Sequence, residues 1–314
     1  MKIIRDLGKL NSKEKTAIAI GKFDGLHLGH QKLLNILRLQ KKHGLKSVVV
    51  TFDPPPEVFF GKGEAGQLLT AEEKEEKLEE LGVDILFYFP MNEINAAIPA
   101  ESFVKDILLG KLNMAFICAG TDLRFGAGGQ KSRPGNSDLL LELAGQARST
   151  GGQGFSAEII EKIYYGEREI SSSYVREAVI SGNMQLVHDL LGWPYSFAGK
   201  VTGGYQLGRT LGFPTANLTI SEAKILPKAG VYLSKVLTPA GEFKGISNIG
   251  IKPTIDGERR PGAETFIYDF SGDLYGQPLK VMLREFIRPE KKFSGIDELK
   301  KQVNEDIEAG RLWK

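Results

Sequence analysis

The stretch that decides the fold of the N-terminal half is residues 16–30, TAIAIGKFDGLHLGH. Its apolar, β-prone run over Thr16–Gly21 predicts a buried strand. The three glycines of the turn that follows let the backbone approach a ligand closely. We expect His30 to open a helix, where unpaired N–H groups and the helix dipole favour phosphate. The sequence therefore predicts a phosphate-binding turn at the end of this strand.

The rest of the N-terminal half repeats this alternation of apolar strands and helical segments. Such alternation is typical of an α/β doubly wound parallel sheet, in which ligands bind at the carboxyl ends of the strands. The Glu/Lys run at 71–80 is interpreted as a solvated helix face that begins with a capping box at Thr70 and Glu73. The further predicted strands are Lys46–Phe52, Val83–Phe89 and Met114–Ala119, and the predicted helices lie near His30–Lys42, Thr70–Leu81 and Ala100–Leu109.

From about residue 196 the chain changes to short β-rich runs separated by Gly, Pro and Asp. No helix is predicted there until Ser294 and Asp297, whose spacing suggests a cap for a helix that continues through Glu308. This pattern predicts a small antiparallel β-barrel with a C-terminal helix. We place the boundary between domains of residues 1–185 and 186–314, within a helical stretch at Ser173–Leu191. The predicted barrel strands are Phe197–Thr202, Val231–Leu237, Phe243–Ile249, Glu264–Phe270 and Leu279–Phe286.

Composition excludes several classes of protein. The net charge of +2, from 41 basic and 39 acidic residues, is too balanced for a nucleic-acid-binding face. No apolar run reaches about 18 residues, and the N-terminus lacks the apolar segment of a signal peptide. The one cysteine, Cys118, predicts a buried strand residue in a reducing compartment, and four histidines with one cysteine argue against structural zinc. We therefore expect a soluble, cytoplasmic protein with no nucleic-acid or membrane partner.

The turn carries a specific motif. Seven positions of Gly21–His30 match the nucleotidyltransferase pattern G-x-F-D-G-x-H-x-G-H. His27 and His30 can donate hydrogen bonds to phosphate oxygens as charge builds during transfer at an α-phosphorus. With the motifs described next, the chain resembles the bacterial bifunctional riboflavin kinase/FAD synthetase family over essentially its whole length.

The resemblance implies an FMN adenylyltransferase site in the N-terminal domain. The family's second signature is similar to Ile170–Arg176, where we expect Ser173 to cap a helix and Arg176 to clamp the triphosphate from its first turn. The segment Gly120–Gly126 is similar to the lining of the family's flavin and nucleotide cleft. Gly128–Ser132 is not a P-loop, because glutamine stands where that motif needs glycine; a loop closing over phosphates and a plain surface loop both stay open. The implied nucleotide-binding residues are Gly21, Phe23, Asp24, Gly29, His30, Ser172 and Arg176, the implied flavin-binding residues are Asp122, Arg124 and Phe125, and the implied catalytic residues are His27 and His30.

The second implied site is a riboflavin kinase site in the C-terminal domain. Gly208–Asn217 matches the family motif that contains P-T-A-N. Thr215 offers a hydroxyl to Mg²⁺, the implied cofactor, and Asn217 offers either a carbonyl to the metal or an amide to phosphate. Glu264 matches the family's catalytic glutamate and can act as general base toward the ribityl hydroxyl. Alternation of side chains puts Glu264, Phe266 and Tyr268 on one face of a strand. The implied ATP- and phosphate-binding residues are Gly208, Arg209, Thr215 and Asn217, and the implied flavin-binding residues are Asn248, Glu264 and Arg288.

Four features depart from the family's usual pattern: Pro55 and Phe266 stand where histidine is frequent, Leu123 stands where phenylalanine is frequent, and the Gly126–Asn136 loop is longer. None removes an implied catalytic group.

The resemblance implies two reactions on small-molecule substrates: phosphorylation of riboflavin to FMN by ATP, then adenylylation of FMN to FAD with release of pyrophosphate. Two other functions are considered. One is a class I aminoacyl-tRNA synthetase-like enzyme, since His27–His30 resembles its HIGH motif, but no K-M-S-K-S segment is present. The other is a flavin-sensing or flavin-storing protein without turnover. The sequence leaves the oligomeric state and the metal preference open.

Overall fold

The structure, a computed structural model, describes residues 1–61, 66–127, 133–149, 154–203, 212–253 and 259–313. The chain divides into two units, one made of Met1–Ala65 and Ala71–Ser171 and the other of Gly66–Thr70 and Ser172–Lys314. The proposed boundary at residues 185 and 186 stays a prediction. No helix in the described part of the chain is long and apolar enough to cross a membrane.

The first unit is built on a six-stranded sheet in which all neighbouring strands are parallel. Its strands are β1 (Lys2–Ile4), β2 (Thr16–Ile20), β3 (Lys46–Asp53), β4 (Ile85–Pro90), β5 (Met114–Gly120) and β6 (Ser156–Ile160), and a separate hairpin pairs β7 (Tyr164–Tyr165) with β8 (Arg168–Glu169). The strand order β1-β4-β3-β2-β5-β6 confirms the predicted doubly wound sheet. Because the chain runs from β2 to β3 and β4 and then returns to β5 beside β2, the crevice for a ligand lies at the carboxyl ends of β2 and β5.

The central strands are buried on both faces, as a parallel sheet requires. All five residues of β2 are buried, and the described core contains apolar residues of β2, β3, β4 and β5. Cys118 in β5 is fully buried, which confirms the predicted strand position, and burial raises the pKa of its thiol. The helices are α1 (Leu28–Gln40), α2 (Pro56–Phe59), α3 (Ala71–Glu80), α4 (Glu93–Ala96), α5 (Ala100–Ser102), which continues as a π-helix over Phe103–Leu109, and α6 (Ser137–Ser149).

The structure differs from the sequence prediction for this unit at three points. The helix after the motif turn begins at Leu28, so His30 lies in its first turn rather than at its start. The Glu/Lys helix has a solvated face with Glu72, Glu76, Glu79 and Glu80 exposed, but Lys74 of the charged run is buried beside Leu78. The strands β1 and β6 are not predicted. Each lies at an edge of the sheet, where a strand needs no continuous apolar run.

The second unit contains a closed antiparallel barrel with strand order β10-β13-β12-β11-β14-β9, which confirms the predicted class. In the part of this unit that the structure describes, two helices precede the barrel and one follows it. The strands are β9 (Ser196–Thr202), β10 (Thr215–Thr219), β11 (Gly230–Thr238), β12 (Gly241–Pro253), β13 (Arg259–Ile267) and β14 (Pro278–Pro289), and the helices are α7 (Ser172–Ser181), α8 (Met184–Leu191) and α9 (Ile296–Leu312).

Side chains alternate between the inside of the barrel and its outer face. Inside, the hydroxyls of Ser234, Ser247 and Thr265 form a chain with oxygen–oxygen distances of 2.8 Å, and all three residues are fully buried. We call these three residues the hydroxyl chain. On the outer face, Ile307 of α9 packs in a cluster with buried side chains of β11 and β12, and the Tyr268 hydroxyl donates to the Ile307 carbonyl.

The structure differs from the sequence prediction for this unit at four points. The predicted helical stretch is two helices, because Gly182 adopts a positive φ of 79° and Asn183 caps α8 through the Leu186 amide. The helix α7 begins at Ser172, so Ser173 is not its cap and Arg176 lies beyond its first turn. The helix α9 begins at Ile296, and the Ser294 hydroxyl and amide pair with Glu298 instead of Asp297. Residues 215–219 form a barrel strand, β10, that was not predicted.

Candidate functional sites

The turn after β2 is held in an unusual backbone conformation. Phe23 (φ 50°), Gly25 (φ 77°) and Leu26 (φ 49°) all lie in the left-handed region. This region is unfavourable for residues with a Cβ and is kept only where surrounding structure enforces it. Here the enforcement is burial, because Phe23 and Leu26 are fully buried. The two apolar side chains therefore anchor a strained turn at the carboxyl end of β2.

The structure brings the two motif histidines together. His27 is the N-cap residue of α1, and its ring stacks on the His30 ring with 3.8 Å between centroids. Gly29 makes room for this stack, since a Cβ there would lie 3.1 Å from the His27 ring. The Nδ1 atoms of both histidines are buried and have no hydrogen-bond partner among the described residues. Two unpartnered imidazole nitrogens beside a helix N-terminus suit a ligand that carries phosphate oxygens.

Burial keeps both imidazoles neutral in the free protein. It lowers the pKa of His27 to about 4, against the opposing attraction of the Asp122 carboxylate. Burial also lowers the pKa of His30 well below its usual range, and the neighbouring His27 and Lys74 lower it further. Each histidine therefore offers one N–H donor and one acceptor at neutral pH. A bound polyphosphate would favour the charged forms and raise both pKa values.

Lys74 is a residue of this site that the sequence analysis missed. Its side chain is only 7% exposed, and its ammonium donates to the Lys22 carbonyl over 3.2 Å. Asp24, also buried, is the strongest attractive charge on it. Helical spacing in the sequence could have indicated that Lys74 is buried. Lys74 lies four residues before Leu78, the one strongly apolar residue of α3, and residues at this spacing share a helix face.

The predicted flavin-binding residues follow β5. The Asp122 carboxylate is close enough to His27 to act on its pKa. Arg124 donates to the Leu123 carbonyl over 2.9 Å. Phe125 is 6% exposed and packs in the core against Phe103, with 5.9 Å between ring centroids. Contact of these residues with a flavin stays a prediction.

The residues of the second signature belong to the second unit. Ser172 is the first residue of α7, and the Arg176 guanidinium donates to the Gly66 carbonyl over 2.6 Å. Gly66 is part of the short segment Gly66–Thr70 that joins this unit, where Gln67 exchanges backbone hydrogen bonds with residues 223 and 225. Their role in nucleotide binding stays a prediction.

In the barrel, strand register aligns the predicted kinase residues. Glu264 on β13 is directly opposite Asn217 on β10 and Asn248 on β12. Residues that face each other across paired strands project to the same side of the sheet. Thr215 is opposite Phe266 in the same register, so it lies on that face as well. One outer face of the barrel therefore carries a hydroxyl, two amides and a carboxylate, and we call it the kinase face.

Among the described residues of the kinase face, one buried side-chain atom lacks a hydrogen-bond partner. The Asn248 side-chain oxygen is buried without a hydrogen-bond partner among the described residues. Arg288 makes a two-point ion pair with Asp306 of α9, at 2.9 and 2.6 Å, and its contact with flavin stays a prediction. Phe266 and Tyr268 pack edge to face, with 5.2 Å between ring centroids. Gly208 and Arg209 lie outside the described residues.

Comparison with known proteins follows the same two-part division. The family model described as FAD synthetase matches residues 9–174, and the model described as riboflavin kinase matches residues 191–313. Curated proteins named bifunctional riboflavin kinase/FMN adenylyltransferase are similar over nearly the whole chain. The Escherichia coli K12 protein is 38% identical over 98% of this chain and 96% of its own, and the Bacillus subtilis protein is 36% identical over 93% and 90%.

The chain belongs to the bifunctional riboflavin kinase/FMN adenylyltransferase family. A Buchnera aphidicola member, from Schizaphis graminum, is 37% identical over 98% of this chain and 97% of its own. The crystal structure of a Streptococcus pneumoniae protein described as a macrolide-efflux protein covers 99% of both chains with a TM-score of 0.84 and 28% identity. The match to the FAD synthetase model covers the parallel sheet, and the match to the riboflavin kinase model covers the barrel.

Proposed function

We infer that the chain phosphorylates riboflavin to FMN with ATP and then adenylylates FMN to FAD with a second ATP. The observation that carries this inference is that each unit presents a set of polar groups suited to one of the two reactions. The stacked histidines lie at the ligand crevice of the parallel sheet. The aligned Asn217, Glu264 and Asn248 lie on one face of the barrel.

At the kinase face, Glu264 acts as general base and accepts the proton of the riboflavin 5′-hydroxyl as the hydroxyl attacks the γ-phosphorus. Its position between Asn217 and Asn248 supports this role, because the amides on either side can orient the hydroxyl and the phosphate. The unpartnered Asn248 oxygen can accept a hydrogen bond from the flavin. Arg288, held by its ion pair with Asp306 of α9, is proposed to contact the flavin as well.

The donor set of the same face fits Mg²⁺. Thr215 and Asn217 would hold the ion through a hydroxyl and a carbonyl oxygen, which are ligand types that Mg²⁺ prefers. Two protein ligands suffice, since Mg²⁺ usually keeps several waters and binds substrate phosphates. When bound, it neutralises charge on the phosphates during transfer. Gly208 and Arg209 are proposed to contact the phosphates of ATP.

At the sheet crevice, FMN phosphate attacks the α-phosphorus of ATP. His27 and His30 donate hydrogen bonds to the phosphate oxygens on which charge develops, and the N–H groups of α1 support them. Gly21, Phe23, Asp24 and Gly29 are proposed to bind the nucleotide, and the same role is proposed for Ser172 and Arg176. Asp122, Arg124 and Phe125 are proposed to contact the flavin. Positioning and charge stabilisation carry the reaction without a covalent intermediate.

We propose that residues 1–185 form the adenylyltransferase domain and residues 186–314 the kinase domain, and that the enzyme is cytoplasmic. The corresponding test is a fragment that begins near Asn183. It is expected to form FMN but not FAD. A folded fragment that forms no FMN would contradict the assignment.

The kinase assignment is tested by Glu264→Gln, which keeps the size of the side chain and removes its basic carboxylate. If Glu264 is the general base, kcat for riboflavin phosphorylation falls by about 10²–10⁴ while KM changes little. An increase in KM with kcat preserved would indicate flavin binding alone. A variant that retains more than about a tenth of wild-type kcat would contradict the catalytic role. Adenylylation of supplied FMN is the control and is expected to be unchanged.

A further inference from the structure

Lys74 is an unexpected residue to find buried. The helix α3, AEEKEEKLEE, is strongly polar, yet Lys74 is only 7% exposed and shares the buried face with Leu78. Lysine is almost never this buried unless it is paired, because removing its charge from water is unfavourable. The pairing available to Lys74 therefore indicates what the residue does.

The first partner of Lys74 is the backbone of the motif turn. Its ammonium donates to the Lys22 carbonyl over 3.2 Å, and the Thr51 hydroxyl donates to the same carbonyl over 3.0 Å. The next residue, Phe23, has the positive φ of 50° that begins the strained part of the turn. Two hydrogen bonds on one carbonyl thus hold the peptide at which the chain enters its unfavourable conformation.

The second partner is charge. Burial lowers the pKa of Lys74, while Asp24 and, more weakly, Asp53, Glu57 and Glu75 raise it. Four carboxylates therefore favour the charged ammonium at neutral pH. The Lys74 charge also acts on His30 and lowers its pKa. Because burial leaves His27 and His30 neutral, Lys74 supplies a fixed positive charge beside them that the histidines do not.

We propose that Lys74 is a positioning residue for adenylyl transfer: it fixes the Lys22 carbonyl and places a permanent positive charge next to His30. This proposal rests on the proposed function of the sheet crevice. The charge favours the polyphosphate of ATP at the start of α1, where the helix dipole already favours an anion. It also favours the neutral form of His30 until substrate arrives, and this form offers one N–H donor to the phosphate.

The test compares Lys74→Met, which removes the charge and keeps the length, with Lys74→Arg, which keeps the charge. Lys77→Met is the matched control, since Lys77 lies on the same helix and pairs with Glu80. The kinetic constants of FMN adenylylation are measured, with far-ultraviolet circular dichroism of the same preparations as the check on folding and riboflavin phosphorylation as the readout of the other site. We expect Lys74→Met to lower kcat/KM for ATP by about 10²-fold, the typical effect of misplaced reacting groups. For Lys74→Arg and Lys77→Met, kcat/KM for ATP should stay within about tenfold of the wild-type value.

The pH profile separates positioning from a merely structural role. Groups that face His30 and Lys74 are His27, Asp24, Asp53, Glu57 and Glu75. Removing the like charge of Lys74 raises the pKa of His30, so the acid limb of adenylylation in Lys74→Met moves to higher pH. It stays in place in Lys74→Arg. A structural role alone predicts a lower melting temperature with an unmoved acid limb.

Any one of three results would overturn the proposal. The first is a wild-type kcat/KM in Lys74→Met, the second is an unmoved acid limb in that variant, and the third is an equal loss of both activities in folded Lys74→Met and Lys74→Arg. If Lys74→Met does not fold, Lys74→Gln takes its place, because the amide still donates to the Lys22 carbonyl without the charge. Failure of the proposed function is distinct, since the wild-type enzyme would then form no FAD.

Discussion

The stability of the first unit should depend on pH through His27. Its pKa is about 4 in the folded protein against an ordinary value of 6.5. A histidine with a depressed pKa contributes stability that is present above pH 6.5 and is lost as pH falls toward 4. The full difference corresponds to about 3 kcal/mol, of which about 2 kcal/mol is lost between pH 7 and pH 5. His27→Gln removes the titrating group and with it this part of the pH dependence.

The assay is urea unfolding at several pH values between 5 and 7.5. Both tryptophans, Trp193 and Trp313, lie in the second unit, so their fluorescence follows that unit while far-ultraviolet circular dichroism follows both. Between pH 7 and pH 5 the free energy of unfolding of the first unit should decrease less in His27→Gln than in wild type. The difference between the two decreases should be about 2 kcal/mol. His43→Gln, at an exposed position, is the control variant. Parallel pH dependences in wild type and His27→Gln would refute the reasoning.

Two further predictions concern packing around the sites. Thr265→Val removes one hydroxyl of the fully buried hydroxyl chain and leaves Ser247 short of a partner, so we expect a loss of about 1–3 kcal/mol in the unfolding followed by tryptophan fluorescence. Thr265→Ser keeps the hydroxyl and should therefore retain most of the wild-type free energy of unfolding. Equal losses in Thr265→Val and Thr265→Ser would contradict the role of the hydroxyl. Gly29→Ala puts a Cβ 3.1 Å from the His27 ring, so FAD formation should fall by about 10²-fold with FMN formation unchanged. Gly145→Ala, whose Cβ meets nothing within 4 Å, is the control, and equal activity of the two variants would count against the stacked arrangement.

The fold class could be predicted because its signals are local. Alternating apolar strands and helices indicate a parallel sheet, and short β-rich runs separated by turn residues indicate a barrel. The strand β10 escaped prediction because its residues, TANLT, are mostly polar. It is a strand because β9 and β13 pair with it, and such pairing depends on the tertiary fold.

Sequence motifs predicted part of each candidate site. The motifs identified His27, His30 and Glu264, but the stacking of the histidines and the alignment of Glu264 with Asn217 depend on turn geometry and strand register. Lys74 could not be recognised in a run of charged residues by composition. Its burial depends on α3 packing against the motif turn, and only its spacing from Leu78 hinted at it.

The central claim is that two separate sites perform successive reactions, and His30→Ala tests it most directly. The variant is incubated with riboflavin, ATP and Mg²⁺, and the flavins are separated by chromatography over time. We predict that riboflavin is phosphorylated to FMN at the wild-type rate. The rate of FAD formation should fall by about 10²–10³, because one preorganised donor to the transferred phosphoryl group is lost. A comparable loss of FMN and FAD formation in a normally folded His30→Ala protein would contradict the account.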